Sequence, residues 1–203
     1  MASSLLKPPT EKKSHTLDDL RCEMAKKAGP DWQLTEESLN EDQFQEIQER
    51  FWEHIGSGNK TTYGSNIEGI YTANNAGSWD MRNLDSSLRK LPEDYECITS
   101  PMTYLATIHS LFPNHTEDMN LMSLNLLVAG QPKIWYVLDP NDQSRFETWL
   151  KRVMPDYFMG RCINIIRHKN LLVDPREVRR QGISIQVIVQ WPGDMVLTLP
   201  GAI

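Results

Sequence analysis

The chain has 203 residues, 39% of them hydrophobic and 24% charged, which is long enough for one domain with a sizeable core. Its content of 6 Trp, 6 Tyr and 5 Phe excludes a disordered or low-complexity chain. A formal net charge of −6 disfavours a general nucleic-acid binder, which normally carries a basic excess.

Membrane and secretory signals are missing from the sequence pattern. No apolar stretch approaches the roughly 20 residues that a membrane span needs, and the opening segment lacks the apolar core of a signal peptide. The cysteines Cys22, Cys97 and Cys162 are few and widely spaced, which argues against a disulfide framework. We therefore expect an intracellular protein with reduced thiols.

The first part of the chain is predicted to be helical. Residues 1–15, rich in Ser, Pro and Lys, are predicted to be a disordered tail, and residues 16–60 a helical N-terminal segment. Within that segment one short helix is predicted from Thr16. A longer helix begins after Asn40, where Gln43 completes a capping-box pattern, and ends near Gly56. Its apolar stripe consists of Phe44, Ile47 and Phe51.

The rest of the chain is predicted to be mainly β. Gly130-Gln131-Pro132 and Pro192-Gly193-Asp194 are predicted hairpin-type turns between neighbouring strands. One helix is predicted over Asp142–Val153, and another after Asp174, with a capping box closed by Glu177. This pattern predicts a β-sandwich or jelly roll with helical decoration. The predicted strands are Ile67–Tyr71, Leu121–Val128, Ile134–Leu138, Ser184–Val189 and Met195–Leu199.

The most informative spacing is His115-Thr116-Glu117. Alternate side chains of an extended segment share one face, so His115 and Glu117 are predicted to point the same way, within reach of one ion. An imidazole and a carboxylate are two-thirds of the two-His-one-carboxylate triad that holds non-haem Fe(II). By itself the tripeptide is weak, and an ordinary surface or core histidine remains the better interpretation of it.

Two further residues strengthen the metal hypothesis. Asn125 lies in the next predicted strand, and Lys133 follows the turn at Gly130. A cation in an otherwise apolar sheet favours an anionic ligand. A solvent-facing lysine and a hydrogen-bonded core amide remain as structural alternatives.

A longer segment, HTEDMNLMSLNLLVAGQPKIWYVL at residues 115–138, resembles the iron-binding core of the Jumonji C (JmjC) domain. It is most similar to the histone lysine demethylases that pair a JmjN segment with JmjC. The similarity continues through YGSNIEG at 63–69, CINIIRHK at 162–169 and GDMVLTLP at 193–200. The resemblance implies a double-stranded β-helix of the jelly-roll or cupin type, with a partial JmjC domain over residues 61–203 that is incomplete at its C-terminus.

The resemblance also implies an activity. It is that of an Fe(II)- and 2-oxoglutarate-dependent dioxygenase, which removes N-methyl groups from histone lysines by hydroxylation with release of formaldehyde. His115 and Glu117 would be iron ligands, and Tyr63 and Lys133 would bind the distal carboxylate of 2-oxoglutarate. The remaining cofactor-binding positions implied are Phe112 and Asn125.

Substrate, zinc and location follow from the same resemblance. Tyr104 and Asn66 match positions that contact the methylated histone tail peptide, and Cys162 and His168 match two ligands of a structural zinc. The implied setting is chromatin in the nucleus, without a membrane. The family's third iron ligand is a histidine directly after a segment matching residues 197–203, so this chain is expected to lack it and to be inactive or nearly so alone.

Two rival functions stay open. One is a non-catalytic JmjC-like chromatin-binding or scaffold protein, and the other is a JmjC protein hydroxylase with a different substrate. A basic set is compatible with phosphate or DNA contact, although a solvated helix face is the favoured interpretation. Its members are Lys169, Arg176, Arg179 and Arg180.

Overall fold

A computed structural model describes residues 39–59, 63–68, 81, 84–95, 98–158 and 165–203. The predicted tail, the helix from Thr16 and all three cysteines lie outside these residues. The domain boundaries proposed from the sequence therefore stay a prediction.

Helix α1 spans Glu41–Gly56 and begins and ends where the sequence predicts. The Asn40 side chain accepts a hydrogen bond from the Gln43 backbone N–H at 2.9 Å, and the Gln43 side-chain oxygen accepts one from the Asn40 backbone N–H at 3.1 Å. Two otherwise unpaired backbone donors are thereby satisfied, which stabilises the first turn. The predicted apolar stripe is half-buried rather than fully buried.

Six strands pair two by two in the described part of the chain, each pair antiparallel. The first pair joins β1 (Tyr63–Glu68) to β2 (Met102–Ala106). The other four strands are β3 (Ser123–Leu126), β4 (Lys133–Leu138), β5 (Ile185–Gln190) and β6 (Met195–Thr198). β3 pairs with β6 and β4 pairs with β5, so one strand pair is nested within the other along the chain.

This nesting shows that the predicted hairpins are wrong. The turns at Gly130 and Gly193 are real, and both residues have positive φ, 104° and 99°, which glycine adopts readily. Each turn connects a strand of one pair to a strand of the other pair. A local reversal of the chain therefore does not decide which strands exchange hydrogen bonds. The first strand begins at Tyr63, four residues before the predicted start at Ile67.

The two helices predicted between β4 and β5 are present with two corrections, and a short helix that the sequence did not predict lies between them. Helices α2 (Gln143–Val153), α3 (Pro155–Phe158) and α4 (Pro175–Arg180) are present. Asp174 caps α4 by accepting a hydrogen bond from the Arg176 backbone N–H at 2.8 Å. Glu177 forms an ion pair with Arg180 instead of closing a capping box, and Val153 is exposed instead of facing the core.

The hydrophobic core lies where α2 and α4 pack beside the end of β4. Phe146 and Leu150 of α2 and Val178 of α4 are at most 1% exposed. Each such side chain contributes about 1.5–3 kcal/mol by burial. The rest of the buried cluster consists of Leu138, Ile166, Leu171 and Ile183.

The observed architecture confirms a mainly β fold with helical decoration. Among the described residues, the three strand pairs are not joined by hydrogen bonds into one closed barrel. No helix of that part of the chain is long and apolar enough to cross a membrane.

Candidate active site

The His-x-Glu segment is anchored to a neighbouring stretch of chain. The backbone N–H of Asn114 donates to the carbonyl oxygen of Leu171 at 2.8 Å, and the Asn114 side chain accepts from the backbone N–H of Val173 at 2.8 Å. Thr116 is 2% exposed, whereas His115 and Glu117 on either side of it are half-buried. This alternation is what an extended segment with His115 and Glu117 on one face produces.

Hydrogen bonds hold the side chains of both proposed iron ligands. The His115 Nδ1 atom lies 2.7 Å from the carbonyl oxygen of Pro113. A carbonyl only accepts, so this contact assigns the proton to Nδ1 and leaves the Nε2 lone pair of the neutral ring available to a cation. The Ser123 hydroxyl donates to Glu117 Oε1 at 2.6 Å.

His115 and Glu117 carry the metal-binding groups of this extended segment. No cluster of three or more His, Cys, Asp or Glu side chains that could hold a metal occurs within the described ranges. The donor types fit Fe(II), since a neutral imidazole and a carboxylate are two of its usual ligands. A complete triad is not formed by the described residues.

Three of the cofactor-binding and substrate-binding positions predicted from the sequence, Tyr63, Tyr104 and Lys133, lie around the ring of a fourth, Phe112. Its centroid lies 5.3 Å from that of Tyr63 and 5.2 Å from that of Tyr104, the latter edge to face. The Lys133 Nζ atom lies 4.8 Å from the Phe112 centroid and 4.2 Å from that of Trp135. We call these five residues the aromatic–lysine cluster.

Lys133 is an ammonium in an apolar setting. Burial lowers the pKa of its ammonium from 10.5 to about 8, an effect that the negative charge of Glu117 partly opposes. It forms no salt bridge with any residue that the structure describes. An anionic ligand beside this ammonium would compensate the cost of burying it.

Asn125 lies in β3, opposite Val196 of β6. Its backbone oxygen accepts from Gln190 Nε2 at 2.9 Å, and the same nitrogen donates to the carbonyl of Asp194 at 3.0 Å. Gln190 Oε1 accepts from Trp135 Nε1 at 2.8 Å. Gln190 is 1% exposed and connects β4, β5 and the end of β3. The sequence pattern did not identify Gln190 as a buried hydrogen-bonding residue. A glutamine at the end of an apolar strand, just before Pro192-Gly193, is nevertheless a signal for such a role.

The remaining predicted positions are the substrate contact Asn66 and the zinc pair Cys162 and His168. The Asn66 side chain and Cys162 lie outside what the structure describes, and His168 is exposed at the end of a short 3₁₀ helix, Ile165–His168. The proposed zinc pair therefore stays untested.

The side chains of the basic set pair with carboxylate and carbonyl groups of the protein itself, which favours a solvated face over a phosphate site. Lys169 Nζ lies 3.3 Å from an Asp118 carboxylate oxygen, and Arg179 donates to the carbonyl of Ile185 at 3.1 Å. Arg176 pairs with Asp174 at 2.6 Å, and Arg180 pairs with Glu177.

A nested jelly-roll strand arrangement with an extended His-x-Glu segment and a lysine among aromatic rings is typical of one class of protein. The chain belongs to the JmjC domain family. A family model described as "JmjC domain, hydroxylase" matches residues 102–203, half of the chain.

The curated relatives carry more specific names. Human "Probable lysine-specific demethylase 4F" is 30% identical over 161 residues, covering 77% of this chain and 25% of the relative. Mouse "Lysine-specific demethylase 4B" and rat "Lysine-specific demethylase 4D" are each 29% identical over the same length, covering 15% and 31% of those proteins. The chain thus spans less than a third of the length of the relatives it matches.

Proposed function

We propose that this chain carries the cofactor-binding residues of an Fe(II)- and 2-oxoglutarate-dependent histone lysine demethylase. The observation that supports this most is the placement of Lys133. A desolvated ammonium, flanked by aromatic rings and coupled to the charge of Glu117, suits a ligand with a carboxylate at one end and metal-chelating oxygens at the other.

The metal would be held by His115 through Nε2 and by Glu117 through its carboxylate. When bound, Fe(II) with 2-oxoglutarate and oxygen supplies the oxidation that hydroxylates an N-methyl group, which then leaves as formaldehyde. The hydrogen bond to the Pro113 carbonyl keeps the His115 ring in the tautomer that can ligate.

The aromatic–lysine cluster would bind 2-oxoglutarate and present the substrate. Lys133 and the Tyr63 hydroxyl would hold the distal carboxylate, while the Phe112 and Trp135 rings exclude water from the ammonium. Asn125 would hydrogen-bond nearer the chelating end. Tyr104 packs edge to face on Phe112, which supports a role at the methylated side chain, together with Asn66.

The described residues supply two protein ligands, so we propose weak iron retention and little turnover by the 203-residue chain alone. The relatives' names support a methylated histone tail as substrate and chromatin in the nucleus as the setting. A structural zinc at Cys162 and His168 remains part of the same proposal.

Ligand binding by the 203-residue chain tests this proposal directly. Calorimetric titration with 2-oxoglutarate and Mn²⁺, a redox-stable substitute for Fe(II), should show binding that Lys133→Ala weakens at least about tenfold, because the carboxylate loses a charge-assisted bond. Glu117→Ala should abolish the metal-dependent part. Thr148→Val, on the exposed face of α2, is the matched control and should bind as the parent chain does.

The scaffold alternative predicts a different outcome. If partner or methyl-peptide binding persists in Glu117→Ala, and neither variant changes 2-oxoglutarate affinity, the enzymatic proposal is wrong. A protein hydroxylase is favoured only by the word "hydroxylase" in the family description. Mass spectrometry of peptides treated with an active form of the protein, in which the iron site is complete, distinguishes loss of a methyl group from gain of an oxygen atom.

A further inference from the structure

A chain of hydroxyl groups reaches the Glu117 carboxylate from the last strand. Ser123 Oγ lies 2.6 Å from Glu117 Oε1 and 2.7 Å from Thr198 Oγ1. When the carboxylate is ionised it only accepts, so the Ser123 proton points to Glu117. Thr198 is then the donor to Ser123. The hydrogen bond that each hydroxyl donates therefore has a defined acceptor.

The strand pairing places the two hydroxyl groups side by side. Ser123 and Thr198 are directly opposed in the β3–β6 ladder, so their side chains lie on one face of the strand pair. All three side chains are half-buried. Arg167 Nη1 also donates to the Glu117 backbone oxygen at 3.3 Å, which restrains the main chain of the same residue.

We propose that Ser123 and Thr198 are positioning residues for the metal ligand Glu117. This inference rests on the proposed function. A hydrogen bond to one carboxylate oxygen restricts rotation of the carboxylate, so less freedom is lost when a cation binds. Thr198 orients Ser123 in turn, which makes metal affinity depend on the pairing of β6 with β3.

The test is a titration of the 203-residue chain with Co²⁺, whose visible absorption reports both affinity and ligand geometry. Ser123→Ala should weaken binding by about 10- to 100-fold and change the absorption bands. Thr198→Val, which keeps the side-chain shape, should weaken it by a smaller factor, about three- to tenfold. Ser123→Thr restores the hydroxyl and should recover most of the affinity, and Thr148→Val should change nothing.

Two controls separate positioning from folding and from ligation. Circular dichroism and thermal melting show whether each variant is folded. If Ser123→Ala is unstable, the separate variants Thr198→Val and Ser123→Thr still test the inference. If Glu117→Ala loses Co²⁺ while both hydroxyl deletions bind it as the parent does, the positioning role is wrong and the proposed function survives. If Glu117→Ala binds Co²⁺ unchanged, both are overturned.

Discussion

Lys133 is the residue whose charge decides whether the aromatic–lysine cluster can hold an anion. Its pKa of about 8 lies within the range where enzymes are assayed, because burial disfavours the ammonium more than Glu117 favours it. A carboxylate ligand binds the protonated form. We predict that 2-oxoglutarate affinity is constant below pH 8 and falls above it, by up to about tenfold for each pH unit.

Calorimetry between pH 6.5 and 9.5 measures this dependence. Lys133→Arg is the matched variant, since a guanidinium stays charged throughout the range and should give a pH-independent, if weaker, affinity. A parent affinity that does not change across pH 8 would show that the ammonium does not bind the ligand.

Strands β4 and β5 and the end of β3 are joined by one buried amide, Gln190, which makes three hydrogen bonds. Replacing it with Leu leaves the Trp135 N–H and the carbonyls of Asn125 and Asp194 without that partner. We predict that Gln190→Leu lowers the free energy of unfolding by about 2–4 kcal/mol, because buried unpaired polar groups are costly. Urea unfolding measures the change.

Gln186 provides the matched control on the same strand, because it is exposed. Gln186→Leu should change the free energy of unfolding by about 0.5 kcal/mol or less. Equal effects of the two substitutions would mean that the buried hydrogen bonds contribute nothing beyond the change in side chain.

The whole molecule is held together by its apolar core rather than by the proposed metal site. The buried cluster packs α2 and α4 beside β4, whereas His115 and Glu117 lie half-buried in an extended segment. We predict that Glu117→Ala leaves the melting temperature unchanged, while Leu150→Ala costs about 2–5 kcal/mol of unfolding free energy. Differential scanning calorimetry measures both.

A large drop in the melting temperature of Glu117→Ala would contradict this prediction. A drop that a chelator causes in both the parent chain and Glu117→Ala would instead support the proposed structural zinc, for which Cys162 and His168 are the first residues to test. Cys162→Ser and His168→Asn should then each remove the chelator's effect.

Local features of this protein were determined by its sequence alone. The Asn40–Gln43 capping box, the start of α4 at Pro175 and the alternation around Thr116 each depend on residues within four positions of one another. Propensity, capping and strand alternation act over that distance. The resemblance, which rests on motifs along the chain, predicts a shared role for Tyr63, Tyr104 and Lys133, whose side chains lie around the Phe112 ring.

Only the tertiary structure decided which strands pair and which side chains support the site. Ser123 and Thr198 are 75 residues apart, and nothing near either residue specifies the other. Their contact arises because β6 returns to β3, a choice set by burying apolar faces over the whole domain rather than by the turns at Gly130 and Gly193. The same long-range packing brings Gln190 to Trp135 and lowers the pKa of Lys133, since burial is a property of the folded chain.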